Sequence, residues 1–144
     1  MKPSHIAAYF SSDRDGASAI EFAIVLPVFV LIVFGILTYG IYLGSAHSVE
    51  QLAADAARVS IAGLTDAERT QIVTNYVSAN AKTYPLLKAE KVAVVAGPIP
   101  SDTSQFRVSV RFDARDLPIW AMEGLLPLPD RTIERSAVIK RGGY

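Results

Sequence analysis

Along the chain, the order of apolar and polar residues is dominated by one uncharged apolar run over residues 22–43, FAIVLPVFVLIVFGILTYGIYL. An α-helix rises about 1.5 Å per residue and a membrane span needs roughly 20 apolar residues, so this run is long enough to cross a bilayer. A buried core helix is the alternative, but a helix that is apolar on every side needs more protein around it than 144 residues supply. The pattern therefore predicts a transmembrane helix at residues 17–44.

Basic residues on either side of the run predict its orientation. Lys2 and Arg14 precede it, and the first basic residue after it is Arg58. Because Lys and Arg flanking a span favour the cytoplasmic side, we expect residues 1–16 to be a cytoplasmic leader. Residues 45–144 should then form a domain outside the cytoplasm, tethered by a single pass.

Several residues inside the span have a predicted role in the membrane. Pro27 removes one backbone hydrogen bond, which membrane helices tolerate, and tyrosines near the far end suit the interface. Small residues let helices approach closely in lipid, although ordinary glycine usage in membrane helices is an alternative explanation. The candidates for such packing are Gly35, Gly40 and Gly44.

After the span the pattern becomes amphipathic. Apolar residues recur at helical spacing over 49–59 and predict one helix that continues from the membrane to about Ile61 and ends near Gly63. Its face of small residues should pack on a sheet.

A second helix is predicted to begin near Asp66. Thr65 and Glu68 have the spacing of a capping box, and Pro85 should end the helix. The expected apolar face is formed by Ile72, Val73, Tyr76 and Val77.

Three strand patterns follow. Residues 92–96 form a short apolar run, which Gly97, Pro98 and Pro100 should close. Residues 106–112 alternate apolar and polar, and residues 133–139 repeat this more weakly. We therefore expect an α+β fold, in which a long N-terminal helix packs on an antiparallel sheet of two to three strands.

The segment between the last two strands, residues 117–129, is unusually apolar for a loop. In one interpretation Trp120 and the leucines cap a small core. In the other, Trp120, Leu125 and Leu126 form an exposed patch that meets a partner subunit or the membrane surface.

Composition and motifs give no indication of catalysis. The 14 basic and 14 acidic residues balance, so no basic surface for nucleic acid is predicted, and there is no cysteine. The two histidines, His5 and His47, are far apart and lie in no catalytic or metal-binding motif. We expect neither enzymatic activity nor a cofactor or metal.

The most distinctive motif lies where the apolar run begins. Gly16 is followed by four small or apolar residues, then Glu21 and Phe22, and then an apolar span with Pro27. Glu21 is the one charged residue between Ala17 and Ala46. This order resembles a type IV prepilin-like precursor, and residues 16–27 resemble the start of TadE-like pseudopilins of the tight-adherence (Tad) pilus system.

Two later segments are similar to the same family. Residues 53–58, AADAAR, resemble the alanine-rich helix after the span, and residues 132–140 resemble the terminal strand. The resemblance implies a pilin-like fold and a minor pilin needed to assemble an adhesive pilus.

The resemblance also implies how the chain is processed. A prepilin peptidase would cut between Gly16 and Ala17 on the cytoplasmic face of the bacterial inner membrane. Glu21 would then pair with the terminal amine of a neighbouring subunit, offsetting the burial of both charges. The implied partners are the peptidase, the assembly platform, the major pilin, other minor pilins and the bilayer.

Two alternatives stay open at this point. The chain could be an uncleaved single-span protein whose outer domain binds a partner in the envelope. It could also be a secreted domain released after Ala46, because residues 44–46 resemble a signal-peptidase site.

Overall fold

The computed structural model describes residues 13–140, with side chains described from residue 16. Most of the leader predicted at residues 1–16 therefore lies outside the described residues, as does Lys2. The chain divides into two compact units, Met1–Leu37 and Thr38–Tyr144. Its main elements are α1 (Asp13–Val59), α2 (Asp66–Asn80), β1 (Val92–Ile99), β2 (Asp102–Asp113) and β3 (Thr132–Lys140).

The described part of the first unit is the N-terminal part of α1. The helix continues through Pro27 without interruption, so the proline leaves the secondary structure intact. Its side chains are apolar and mostly exposed, and the helix is long and apolar enough to cross a membrane.

The second unit is an α+β fold with one core. The second half of α1 contributes Val49, Leu52 and Ala56, each with no exposed surface. They share a hydrophobic cluster with Phe106 and Phe112 of the central strand. The amphipathic pattern beyond the span therefore predicted the buried face correctly, and the α+β class is confirmed.

The sheet has the order β1-β2-β3, and both strand pairs are antiparallel. β2 has its apolar side chains in the core, while its other face carries polar cross-strand pairs such as Ser109–Ser136 and Arg111–Glu134. α2 lies against β1.

One strand boundary was predicted wrongly. Pro98 was expected to close β1, but the strand runs to Ile99, and Pro98 pairs with Phe106. Proline is tolerated here because β1 is an edge strand, where a missing backbone N–H costs no interior hydrogen bond. The register shifts directly after Pro98, which ends the regular pairing.

The first helix ends close to the predicted position, but by a different device. α1 ends at Val59, a 3₁₀ turn follows, and Gly63 has an extended backbone with φ −76° rather than a left-handed one. A side chain on Gly63 would meet the backbone nitrogen of Arg69 at 2.8 Å. Gly63 is therefore required for close approach to α2.

The second helix begins as predicted. The Thr65 hydroxyl accepts a hydrogen bond from the Glu68 backbone at 3.2 Å, and Glu68 accepts one from the Leu64 backbone at 2.8 Å. The reciprocal bond therefore goes to the residue before the cap. The α-helix ends at Asn80, and Tyr84 is extended, as expected for a residue before proline.

Candidate functional site

The glycine predicted to precede the cleavage site lies in the first turn of α1. Gly16 is exposed, and an added Cβ would meet no atom within 4 Å. Ala17 is exposed as well. The first turn of a helix has backbone N–H groups without intrahelical partners, so it opens more easily than the interior. A protease could therefore reach the Gly16–Ala17 bond by local opening of this turn.

The other residues of the motif follow on the same helix. Glu21, Phe22 and Pro27 are all exposed in the described chain, with 64% of the Phe22 surface accessible. The Glu21 carboxylate therefore lies on a helix surface that is otherwise apolar from Ala19 onward.

The apolar surface of the first unit surrounds the helix. Twelve large hydrophobic side chains between Ile20 and Leu37 are 40–68% exposed, while Leu31 and Val33 are half-buried, and the exposed ones are not confined to one stripe. A one-sided stripe would indicate packing against a protein core, whereas exposure on all sides is typical of a helix in lipid.

Within the second unit, two tyrosines of α1 are bonded to a distant segment of the chain. The Tyr39 hydroxyl donates to the carbonyl of Pro127, and the Tyr42 hydroxyl donates to the carbonyl of Asp130 at 3.0 Å. Tyrosines three positions apart lie on one helix face, so both reach the same segment. The packed unit therefore begins at Thr38, inside the span predicted at residues 17–44.

The apolar loop of residues 117–129 combines buried anchors with an exposed tip. Ile119 and Met122, in the 3₁₀ turn Pro118–Met122, are buried. Trp120 is half-buried, and its indole N–H donates to the Ala114 carbonyl at 2.6 Å. At the tip, 62% of the Leu125 surface is exposed.

Comparison with known families places residues 16–58 in the family described as "TadE-like protein". The match covers the motif at Gly16, the apolar span and the alanine-rich helix that ends at Arg58.

Residues 16–58 are a TadE-like segment.

The family match ends where α1 ends, so it covers the helix and none of the sheet. The likeness of residues 132–140 to the family's terminal strand is outside the match and stays a prediction. No curated protein and no solved structure matches the chain.

The three glycines suggested for helix packing have different surroundings. Gly40 is exposed, and an added Cβ would meet nothing within 4 Å. Gly44 lies against Leu86 of the same chain, whose methyl carbon would be 2.8 Å from an added Cβ. Gly35 is buried. Gly40 is therefore the one of these three glycines with open space for a neighbouring helix, whereas Gly44 already packs against another part of the chain.

Polar interactions within the second unit hold its elements together. Asp116 binds two lysines, with Nζ–O distances of 2.5 Å to Lys91 and 3.4 Å to Lys88, and these bonds lower the pKa of Asp116. Burial raises the pKa of Tyr84, and its hydrogen bonds to Tyr76 and to Asp55 of α1 add to the effect. Among residues 16–140, no three acidic or histidine side chains form a group that could hold a metal ion.

The sequence did not predict the bonds that Tyr39 and Tyr42 make to residues after β2. Tyr39 and Tyr42 were expected at a membrane interface. Their partners lie 88 positions later in the chain, so no local sequence pattern identifies these hydrogen bonds. The i, i+3 spacing of the two tyrosines indicated a shared face, but it could not identify the partner.

Proposed function

We propose that this TadE-like protein is a minor pilin, or pseudopilin, that takes part in assembling a Tad-type adhesive pilus. It is made as a precursor, inserted in the inner membrane with its N-terminus in the cytoplasm, and trimmed by a prepilin peptidase after Gly16. The observation that carries this proposal is the family match over residues 16–58, which joins the glycine motif to an apolar helix long enough to span a membrane.

The surroundings of Gly16 indicate whether the fold or the peptidase requires a glycine at this position. Its Cα faces open space, so an alanine there would clash with nothing in the described chain. Alanine also has a higher helix propensity than glycine, so the substitution would not weaken the helix. A requirement for glycine would therefore come from the peptidase, whose active site must approach the backbone closely and unwind the first turn.

Glu21 becomes the fifth residue of the trimmed chain. A carboxylate at the centre of a membrane helix costs roughly 2.5–3.5 kcal/mol, and the cost is smaller near the interface. A terminal amine on a neighbouring pilin subunit would offset this cost in the low dielectric of a helix bundle. The position of Glu21 therefore supports the interpretation that the trimmed subunit joins other pilin-like chains on the assembly platform.

The fold weighs against release after Ala46. Ser45, Ala46 and Ser48 are buried within a continuous stretch of α1. A cut there would remove Tyr42, with its bond to the Asp130 carbonyl, from the packed unit. The uncleaved single-span protein is distinguished from the proposed pilin by the state of its N-terminus.

The proposal is tested with single substitutions in the native host. We expect Gly16→Ala to block or slow trimming strongly, and Glu21→Gln to leave trimming intact while reducing pilus production. Gly97→Ala is the control, because Gly97 lies outside the motif and an added Cβ there also meets nothing within 4 Å. Normal trimming and normal pili in the Gly16 and Glu21 variants would contradict the proposal.

A further inference from the structure

We propose that the apolar loop of residues 117–129 rests in the membrane interface, with Leu125 among the lipid chains next to the point where α1 leaves the bilayer. This inference rests on the membrane span of the proposed function. It adds a second lipid contact, made by the outer unit of the protein.

The length of the exposed helix sets the membrane boundary. Residues 17–37 are 21 positions, and at about 1.5 Å per residue they extend roughly 31 Å. The hydrocarbon core of a bilayer is about 30 Å thick. From Thr38 onward the helix belongs to the packed unit, so residues 17–37 fill the core without the last part of the predicted span.

Hydrogen bonds hold the loop at this boundary. Tyr39 and Tyr42 lie just beyond Leu37, and both bind backbone carbonyls at the end of the loop. The loop is therefore fixed beside the first turns of α1 that follow the exposed apolar stretch. Tyrosine side chains are enriched at this depth, where the ring meets lipid and the hydroxyl finds a polar partner.

The loop has the chemistry of an interfacial anchor. Its 3₁₀ turn is held by buried Ile119 and Met122, so the segment after it is presented on a fixed base. Gly124 has a positive φ of 84°, which turns the chain and leaves Leu125 62% exposed. Next to this tip, the guanidinium of Arg131 lies over the Trp120 ring at 5.1 Å.

Basic and polar side chains lie close to the end of the loop. Tyr42, Arg131 and Arg135 line an open cleft of about 460 Å³ at the base of β3. Exposed arginines close to the end of an apolar loop suit the step from lipid chains to phosphate head groups, where basic side chains and aromatic rings are favoured.

A lipid surface fits these observations better than a protein partner. Leu125 is exposed two residues before Pro127, whose carbonyl is bonded to Tyr39, so bonds within the second unit hold the tip close to the start of its part of α1. A protein groove would be expected to take a larger contiguous apolar patch than a single exposed leucine next to half-buried Leu126 and Leu128.

The test uses the full chain in vesicles of phosphatidylethanolamine and phosphatidylglycerol. The sequence has no cysteine, so an environment-sensitive fluorophore can be attached through Leu125→Cys, Thr103→Cys or Phe29→Cys. Thr103 is the matched control, because it is exposed and lies at the opposite end of β2 from the loop. Phe29, which is 60% exposed on the span, reports insertion. Bromine atoms at known lipid depths quench the probes.

We expect the Leu125→Cys probe to be shifted to the blue and quenched by shallow bromines, and the Thr103→Cys probe to remain in water. The single tryptophan, Trp120, should be quenched at a similar depth in the unmodified chain. A Leu125→Cys probe in water, with the Phe29→Cys probe in lipid, overturns this inference alone. Protection of Leu125→Cys only at high protein density also overturns it, in favour of a protein contact. A Phe29→Cys probe in water overturns the proposed span as well.

Discussion

Substitutions at Trp120 measure how much the apolar loop contributes to the stability of the fold. The indole is half-buried, donates a hydrogen bond to the Ala114 carbonyl and lies under the Arg131 guanidinium. Trp120→Ala removes all three interactions, whereas Trp120→Phe keeps a ring and removes the N–H donor. Leu64→Ala is a control, because Leu64 is apolar and 87% exposed.

The expected magnitudes follow from burial. Replacing a fully buried aromatic residue with alanine costs about 3–5 kcal/mol, so a half-buried one should cost roughly 1.5–2.5 kcal/mol. Trp120→Phe should cost about 1 kcal/mol, the net value of one hydrogen bond, because the Leu117 backbone also binds the Ala114 carbonyl at 3.0 Å. Leu64→Ala should stay within about 0.5 kcal/mol.

Thermal unfolding of the full chain in detergent, followed by circular dichroism, measures these differences. For a unit of about 100 residues, 1 kcal/mol corresponds to roughly 4 °C in Tm. Trp120→Ala should therefore lower Tm by about 6–10 °C, Trp120→Phe by about 4 °C and Leu64→Ala by less than about 2 °C. An unchanged Tm for Trp120→Ala would refute the view that this ring caps the fold.

Three further predictions concern the second unit and use the same unfolding assay. Gly63→Ala should destabilise the fold by about 1–3 kcal/mol, since the new Cβ would meet the Arg69 backbone. Gly97→Ala is the control and should leave stability unchanged, because an added Cβ there meets nothing within 4 Å. Equal effects of the two substitutions would contradict the close approach at Gly63. Thr65→Ala should cost about 1 kcal/mol by removing the cap of α2, and no loss would refute that role. Because folding lowers the pKa of Asp116, its ion pairs should stabilise the fold above about pH 4 and be lost below it. Asp116→Asn should remove this part of the acid sensitivity, and an unaltered pH profile would contradict it.

Local patterns in the sequence were enough to predict most of the fold. Helical spacing over residues 49–59 predicted the buried face of α1, and the Thr65–Glu68 spacing predicted the start of α2. The extension of β1 through Pro98 was not predictable, because it depends on β1 lying at the edge of the sheet.

In the candidate site, too, the local motif was predicted from the sequence and the long-range contacts were not. The motif from Gly16 to Pro27 is local, and the family match covers it. The bond between Tyr39 and the loop joins residues 88 positions apart, and the contact of Gly44 with Leu86 is also distant in sequence. Such contacts depend on how the elements pack, which periodicity and spacing do not specify.

The central claim is tested most directly by mass spectrometry of the mature chain purified from its native host. The measurement identifies the first residue of that chain and gives its intact mass. Trimming after Gly16 predicts a chain of 128 residues that begins at Ala17, since 144 minus 16 leaves 128. A host strain without the peptidase should yield the uncut chain. A chain that begins at Met1 in a strain with active peptidase would contradict the account.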